Sequence, residues 1–238
     1  MIVYGKNQVL ELLKSSPRKV EKILIAQKTH IPAELLNFLE SVDAPIIHVE
    51  KAKLTRLVGN DRHQGIVALV RELEFSSPED IVNETLEKKG VILILDHVKD
   101  PQNLGNIMRS AEAFGVTGVI VPALRASGFT ESVVRASAGA VFNLRVGLVK
   151  NVLNFVRNIK DAGIWVYALE RGGKSLFEVV YNFPVAVVAG AEDEGVSKTV
   201  LKEADEIITI PMVGKINSLN VASSVAIALS FVSNRRAL

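Results

Sequence analysis

A run of polar residues in segment 96–115 follows a stretch that reads as a buried β-strand. The apolar residues of this segment recur at helical spacing, and Asp100 followed by a proline suits the start of a helix. Asn103, Asn106 and Arg109 lie off the apolar stripe. Helix N-termini and arginine side chains both favour phosphate groups. The segment is therefore a candidate phosphate-binding site, with an ordinary solvated helix face as the alternative.

A second candidate segment, 185–197, joins an apolar run to an acidic turn. Gly190 and Gly195 bracket Glu192 in this turn, and a glycine lets the backbone approach a ligand closely. Gly195 is not directly followed by a Lys-Ser or Lys-Thr pair, which excludes a Walker loop. The G-x-G-x-x-G fingerprint follows none of the predicted strands, which argues against a nicotinamide-dependent oxidoreductase on the same class of sheet. A solvated acidic turn is the alternative for this segment.

The third segment, 207–232, runs from a strand that Pro211 stops into a helix that is apolar nearly all round. Ser218 is the predicted N-cap of that helix. A helix without a polar face must be covered on every side, either within the domain or by another subunit. We therefore predict that this helix contributes to a dimer interface.

Apolar runs in residues 90–238 predict the strands that position these three segments. The first run, VILILD, is apolar throughout, as expected of a parallel strand buried on both faces. The others follow at strand–helix spacing: GVIVPA, NLRVGLV, GIWVYALE, VAVVAGAE and EIITIPM. This alternation predicts a doubly wound α/β sheet, in which ligands lie at the carboxyl ends of the strands. All three candidate segments follow predicted strands and are therefore expected at the edge of the sheet where the carboxyl ends of the strands lie.

Residues 1–72 are predicted to be a separate small α/β unit, and residues 73–89 a linker that runs into a short helix. Its helices are predicted at YGKNQVLELLKSS, IPAELLNFLESV and AKLTRLVG, and its strands at KVEKILIA, PIIHVE and HQGIVALVREL. Its basic residues are candidate phosphate contacts, although each alone is more often a solvated side chain: Lys6, Lys14, Arg18, Lys19, Lys22, Arg56 and Arg62.

Composition excludes several other classes of site. The chain has no cysteine, which rules out disulfides, thiolate metal sites and cysteine nucleophiles, and its four histidines show no metal-binding spacing. Neither a signal peptide nor an apolar run long enough to span a membrane is recognised, so the expected compartment is the cytoplasm. The net charge of +2 is compatible with RNA binding without arguing for it.

Taken together, the three segments resemble the SpoU, or TrmH-type, 2′-O-ribose RNA methyltransferases of the SPOUT class. The family motif N-x-G-x-x-x-R corresponds to Asn103, Gly105 and Arg109, and G-x-E-x-x-G corresponds to Gly190, Glu192 and Gly195. The motif I-P-M followed by S-L-N-V is found at 210–212 and 218–221, and RASAGAVFNLRV (135–146) is similar to the family's S-x-G-A segment. The first 72 residues are similar to a ribosomal-protein-like RNA-binding domain that precedes the catalytic domain in many relatives.

The resemblance implies a trefoil knot in the catalytic domain (90–238), an obligate homodimer through that domain, and S-adenosylmethionine as the methyl donor. No metal is expected, because the sulfonium is already activated. The residues expected to bind the cofactor are Gly190, Gly195, Ile210, Met212 and Leu219. Those expected to serve catalysis are Arg109, as the essential residue, Asn103, which would orient it, and Glu192, Ser218 and Asn220, which would hold loops and substrate.

The same resemblance favours a guanosine of large-subunit (23S) rRNA as the target, because relatives of that kind carry a similar N-terminal extension. A tRNA guanosine 2′-O-methyltransferase is the alternative within the class. A non-catalytic RNA-binding or ribosome assembly protein on the same fold is the alternative outside it. The role of Arg109 is open, because a guanidinium with a pKa above ~12 is a poor base, whereas binding phosphate or stabilising an alkoxide suits it better.

Overall fold

The computed structural model describes residues 1–216 and 218–235, apart from the side chain of Ser127. Its N-terminal part is a four-stranded sheet of order β1-β4-β2-β3. The strands are β1 (Ile2–Tyr4), β2 (Val20–Ala26), β3 (Ile46–Val49) and β4 (Ile66–Val70), and the helices are α1 (Lys6–Ser15), α2 (Ala33–Ser41) and α3 (Lys51–Val58). The predicted elements are all present. The sequence analysis missed β1, whose three residues are too few to show a strand period.

The C-terminal part is a six-stranded sheet of order β10-β8-β9-β5-β6-β7, and every pair of neighbouring strands is parallel. Its strands are β5 (Val91–Asp96), β6 (Gly118–Pro122), β7 (Val146–Val149), β8 (Trp165–Ser175), β9 (Val185–Gly190) and β10 (Glu206–Thr209). These are the six predicted strands. The prediction of a parallel α/β sheet is therefore confirmed.

Helices cover both faces of this sheet, as the apolar character of the strands requires. They are α4 (Pro78–Lys88), α5 (Pro101–Ala113), α6 (Glu131–Ala136), α7 (Val152–Asp161), α8 (Lys198–Glu203) and α9 (Val221–Arg235). Alternate residues of β5 join opposite cores: Leu93 packs in the cluster that includes α5 and α9, and Ile94 packs in the cluster that includes α4, α7 and α8. Each helical layer therefore buries one face of the sheet.

Helix α4 occupies most of the segment predicted to be a linker. Ser77 caps its N-terminus, accepting the N–H of Asp80, and Pro78 fills its first turn. Ile81 is fully buried and packs close to Gly118 and Gly147 of the six-stranded sheet. The helix therefore belongs to the C-terminal core. The proposed division at residues 72 and 90 remains a prediction.

Strand β8 departs from regular pairing beside β10. Ile207 pairs with Ala168, whereas the next residue, Ile208, pairs with Lys174. The intervening residues 169–173 therefore leave the ladder, and Leu176 rejoins it by donating its N–H to the carbonyl of Thr209 at 2.9 Å. This excursion brings the end of β8 to the edge of the sheet at which β9 and β10 also end.

The two sheets are joined through residues 131–143. The hydroxyl of Ser15 donates to the carbonyl of Ala138 at 3.0 Å, and the hydroxyl of Ser16 donates to the side-chain oxygen of Asn143 at 2.9 Å. On the other side of the same segment, Gly105 of α5 packs against α6, where a Cβ would lie 2.4 Å from that of Ala136. The RASAGAVFNLRV segment is thus the structural bridge between the N-terminal sheet and helix α5.

Candidate active site

The acidic turn after β9 is built on two glycines that no other residue could replace without displacing backbone. A Cβ on Gly190 would lie 1.9 Å from the carbonyl carbon of Gly195, and Gly195 itself has a φ of +66°. The N–H of Gly195 donates to the carbonyl of Ala191 at 2.9 Å and closes the turn. The spacing of the two glycines is therefore a backbone requirement, and it turns the intervening acidic residues outward.

Asn220, and not Ser218, caps helix α9. Its side-chain oxygen accepts the N–H of Ala222 at 2.9 Å and that of Ser223 at 3.4 Å, which is the geometry of an N-cap. The prediction that Ser218 is the cap was wrong, because the helix begins at Val221 and the cap must directly precede it. Ser218 instead lines the cavity described below.

Three side chains from three separate segments form one hydrogen-bonded group, the Asn–Glu–Asn triangle of Asn103, Glu192 and Asn220. The amide of Asn103 donates to the Glu192 carboxylate. The amide of Asn220 donates to the side-chain oxygen of Asn103 at 2.9 Å and to the same Glu192 oxygen at 3.0 Å. Asp100, the predicted cap of α5, holds the N–H of Asn103 at 2.8 Å. The triangle ties the starts of α5 and α9 to the turn after β9.

A cavity of about 220 Å³ lies between this turn, the end of β10 and the start of α9. It is lined by seven of the ten residues predicted for the site: Gly190, Glu192, Gly195, Ile210, Met212, Ser218 and Leu219. Asn103 and Asn220 reach it through their hydrogen bonds to Glu192. The predicted convergence of the strand ends therefore produces a concave site with apolar walls and an acidic rim.

Glu170 and Arg171, in the middle part of β8 that leaves its ladder with β10, also line the cavity and were missed by the sequence analysis. The carboxylate of Glu170 accepts the N–H of Val196 at 3.0 Å and so supports the turn after β9. A usable signal existed, because Glu170 is the last residue of the predicted strand GIWVYALE. Only the ends of the other strands had been considered, and the excursion of β8 that places Glu170 here is not visible in the sequence.

Arg109 is exposed on α5 and does not line the cavity. It lies six residues after Asn103, which on an α-helix is about 9 Å along the axis and ~120° around it. Within the described residues no hydrogen bond or ion pair holds its guanidinium, and the amide of Asn103 is engaged by Glu192 and Asn220. Asn106, the other candidate on this face, is likewise exposed. How Arg109 reaches the reacting groups remains a matter for proposal.

The loop 59–65 of the N-terminal sheet is organised around a buried histidine. Nδ1 of His63 accepts the N–H of Gly65 at 3.0 Å, and Nε2 lies 3.0 Å from the hydroxyl of Thr55, which in turn donates to Asp61. Burial, with a smaller effect of the charge on Lys51, lowers the pKa of His63 below its ordinary value. The imidazole is therefore neutral and carries its proton on Nε2.

The predicted phosphate contacts of the N-terminal part are not equivalent. Lys14 pairs with Glu34 at 2.7 Å and with Glu11 at 3.8 Å, so its charge is already compensated. Arg62 lies in the histidine-organised loop, is exposed, and forms no ion pair within 1–216 and 218–235. Arg62 is therefore better placed than Lys14 to meet an anion.

Two other kinds of site can be examined directly. In the part of the chain that the structure describes, no cluster of histidine, aspartate and glutamate side chains has the arrangement of a metal site. No described helix combines the length and the apolar composition needed to cross a membrane.

Comparisons with known proteins agree with this geometry. Residues 90–230 match the model of the SpoU rRNA Methylase family, and residues 2–76 match a model described as RNA 2′-O ribose methyltransferase substrate binding. YacO of Bacillus subtilis (strain 168), named for the TrmH family of tRNA/rRNA methyltransferases, is 35% identical over 98% of this chain and 95% of its own length. The 23S rRNA (guanosine-2′-O-)-methyltransferase RlmB of Nitrosomonas europaea is 33% identical over 95% of this chain and 88% of its own.

A solved structure shares the fold over the whole chain. The SpoU methyltransferase AviRb of Streptomyces viridochromogenes, crystallised with its cofactor AdoMet, superposes with a TM-score of 0.76 at 23% identity, covering 100% of this chain and 90% of that one. The family matches and the full-length relatives confirm the resemblance that the three motifs indicated. The chain therefore belongs to the SpoU rRNA Methylase family and is an RNA methyltransferase.

Proposed function

We propose that this chain transfers a methyl group from S-adenosylmethionine to the ribose 2′-OH of a guanosine in 23S rRNA. The observation that carries the proposal is the convergence of three distant segments on one cavity, held together by the Asn–Glu–Asn triangle. Support for the guanosine of 23S rRNA comes from RlmB of N. europaea, which is named for that activity and resembles this chain along nearly its whole length.

The walls of the cavity suit the methyl donor. Leu169, Ala189, Ile210 and Leu219 offer apolar surface and backbone groups to a flat base. The rim is acidic, with Glu170, Glu192, Asp193 and Glu194, and favours a ligand with cationic groups. S-adenosylmethionine has both features, and when bound it supplies a methyl group on an activated sulfonium. The chain's own part is to orient that group and to exclude water around it.

Transfer requires the 2′-hydroxyl to lose its proton as its oxygen bonds to the methyl carbon and the carbon–sulfur bond breaks. The guanidinium of Arg109 is the proposed essential group. It stabilises the developing negative charge on the oxygen and binds the neighbouring phosphate. Its exposed position on α5 suits contact with an RNA that enters from outside the cavity. Solvent or the phosphate takes the proton, because a guanidinium is already protonated.

A homodimer through the C-terminal part accompanies this proposal. Helix α9 keeps Ile227 and Phe231 only partly buried, beside Phe177, which is half exposed. These side chains form an apolar groove on the outside of the helix, and such patches on soluble proteins usually mark interfaces. Sedimentation velocity at micromolar concentration tests this, and a monomer of 25.8 kDa would contradict it.

The proposed compartment is the cytoplasm. A trefoil knot is proposed for the C-terminal part of the chain. Support for the knot comes from the path of the chain around β10. Residue 168 of β8 pairs with β10, and residues 174–176 pair with β10 again further along. Residues 169–173 are looped out between these two pairings. Helix α9 then returns to pack on α5 and β9. An experimental structure traced from Val185 to Arg235 tests whether the chain passes through that loop.

The activity is tested with tritiated S-adenosylmethionine and two unmodified transcripts, 23S rRNA and a tRNA pool. Label in 23S rRNA, mapped to one guanosine 2′-O-methyl group, is the expected result. Label in tRNA alone would replace the rRNA proposal with the tRNA alternative. The absence of label in both, with RNA binding retained, would favour the non-catalytic RNA-binding protein.

A further inference from the structure

A group of donor side chains lies where the N-terminal sheet meets helix α6. Tyr4 of β1 accepts hydrogen bonds from the guanidinium of Arg135 at 3.0 Å and from the amide of Asn60 at 3.4 Å. The Arg135 guanidinium also lies 5.3 Å from the centre of the Tyr4 ring. Arg62 is close enough for its charge to act on the same phenol, and we call Tyr4, Asn60, Arg62 and Arg135 the junction cluster.

The junction cluster lacks a compensating anion. Within the described ranges neither arginine forms an ion pair with a carboxylate. The Arg135 guanidinium contacts the Tyr4 oxygen, and the backbone N–H of Arg62 donates to the side-chain oxygen of Asn60 at 2.9 Å. The two nearest acids along the chain are engaged elsewhere: Glu131 accepts the N–H of Ile2 at 2.9 Å, and Asp61 accepts the hydroxyl of Thr55 at 2.8 Å. Two exposed cations in one cluster, neither paired with a described carboxylate, favour binding of an anion.

The hydrogen-bonding pattern narrows the class of anion. The Tyr4 oxygen already accepts twice, and its own O–H has no acceptor in the described parts of the chain. The remaining donors of the junction cluster are the Tyr4 O–H and the N–H groups of the two arginines, because the Asn60 amide already donates to Tyr4 and to the carbonyl of Val58. A ligand that fits must therefore supply acceptors and negative charge, as a phosphodiester does. Arg135 is also pre-positioned by Tyr4 and by the hydroxyl of Ser132 at 3.5 Å, which reduces the entropy lost on binding.

We infer that the junction cluster is an RNA phosphate-binding site, formed jointly by the N-terminal sheet and helix α6. The inference rests on the proposed action on RNA. It assigns the site to the phosphodiester backbone of the substrate outside the methylated nucleotide. Helix α6 packs directly on α5, where Gly105 meets Ala136, so RNA held here lies against the layer that carries Arg109. Such a site sets the position of the RNA without reading its sequence.

The test is RNA binding by the full chain without the methyl donor, measured with an unmodified 23S rRNA transcript at several salt concentrations. Arg62→Gln and Arg135→Gln, both at exposed positions, are each expected to weaken binding about fivefold and to lower the slope of log Kd against log salt by about one. Tyr4→Phe keeps the ring but loses the oxygen that holds Arg135, and is expected to weaken binding with little change in slope. The matched control is Arg157→Gln, an exposed arginine paired with Glu203.

If the double variant at Arg62 and Arg135 binds with the affinity and salt slope of the control, the inference is overturned. Melting temperature and affinity for S-adenosylmethionine, expected to be unchanged, show that the variants are folded. Methyl transfer is scored separately with the wild-type chain. If the wild-type chain transfers methyl groups but the double variant binds RNA normally, the inference is wrong and the proposed function stands. If the double variant weakens RNA binding but the wild-type chain transfers no methyl group, the proposed function is wrong and the inference stands.

Discussion

The cavity and the junction cluster are opposite in their chemistry. The cavity is concave, is closed by the Asn–Glu–Asn triangle, and carries carboxylates from Glu170 and from residues 192–194 on its rim. The junction cluster is exposed and rich in donors, with arginines that no described carboxylate neutralises. One region suits a compact ligand with cationic groups, and the other suits a polyanion. On the proposed assignment, cofactor and RNA are recognised independently, and four experiments test that division.

The largest effect is expected from Arg109→Ala, which removes a group that belongs to neither region. Transfer is expected to fall by about 10³-fold, because charge stabilisation in the transition state is lost. Affinity for S-adenosylmethionine and the melting temperature are expected to be unchanged, since Arg109 is exposed and unpaired within the described residues. Single-turnover transfer and calorimetry measure these quantities. Near-normal turnover would show that Arg109 is not the essential residue.

The next largest effect is expected from Gly190→Ala. The added Cβ would lie 1.9 Å from the backbone of Gly195, so the turn must move. Overpacking of this kind costs about 1–3 kcal/mol. Affinity for S-adenosylmethionine is therefore expected to fall by about 10- to 100-fold.

Two controls accompany Gly190→Ala. RNA affinity of the same variant is expected to be unchanged, because the junction cluster is built from β1, the loop 59–65 and α6 and shares no residue with the turn. Gly128→Ala is the matched glycine control, since a Cβ there meets nothing within 4 Å. Equal loss of RNA and cofactor affinity in Gly190→Ala would contradict the independence of the two regions.

A smaller effect is expected from Asn220, whose oxygen caps α9 and whose amide contacts Asn103 and Glu192. Asn220→Ala loses both functions and is expected to lower the free energy of unfolding by about 1 kcal/mol. Asn220→Asp keeps the capping oxygen but loses the donor toward Glu192. Cofactor affinity is expected to fall about tenfold in both variants, the loss of roughly one hydrogen bond to a charged group. Undiminished affinity in Asn220→Asp would show that the triangle only supports the fold.

The smallest effect concerns the loop that carries Arg62. Burial lowers the pKa of His63 below its ordinary value of 6.5, so on acidification the unfolded chain takes up a proton before the folded chain does. The stability that neutral His63 contributes is therefore fully present above pH ~6.5 and is lost as pH falls toward the lowered pKa. Protonation of Nδ1 would also remove the acceptor of the Gly65 N–H and place two N–H donors opposite each other.

Urea unfolding at pH 7.5 and 5.5 measures this loss, which is at most about 1.4 kcal/mol per pH unit for one proton. His63→Gln is expected to remove that part of the pH dependence. His48→Gln, at an exposed position on β3, is the matched control and is expected to retain it. An unchanged pH dependence in His63→Gln would show that another group governs the acid sensitivity of the loop.

Much of the fold was predictable because it follows from local patterns. Continuous apolar runs identified the six parallel strands, and Asp100 with Pro101 located the start of α5. The short β1 was missed. The segment predicted as a linker running into a short helix contains α4, but the packing of α4 on the six-stranded sheet was not predictable, because burial of Ile81 depends on strands elsewhere in the chain. Ser218 was predicted as the cap of α9, whereas Asn220 caps it; both residue types can cap, and only the actual first turn of α9 distinguishes them.

The sequence by itself determined the strands, the order of the motifs and the family, because these depend on residue type and spacing. Tertiary structure decided which of these residues meet. Asn103 and Asn220 are 117 positions apart and yet share a hydrogen bond, while Asn103 and Arg109, six apart on one helix, share none in the described part of the chain. The excursion of β8 alone brings Glu170 to the cavity, and docking of the two sheets alone brings Arg135 to Tyr4. Such contacts depend on how separate elements pack, which no local pattern of residues encodes.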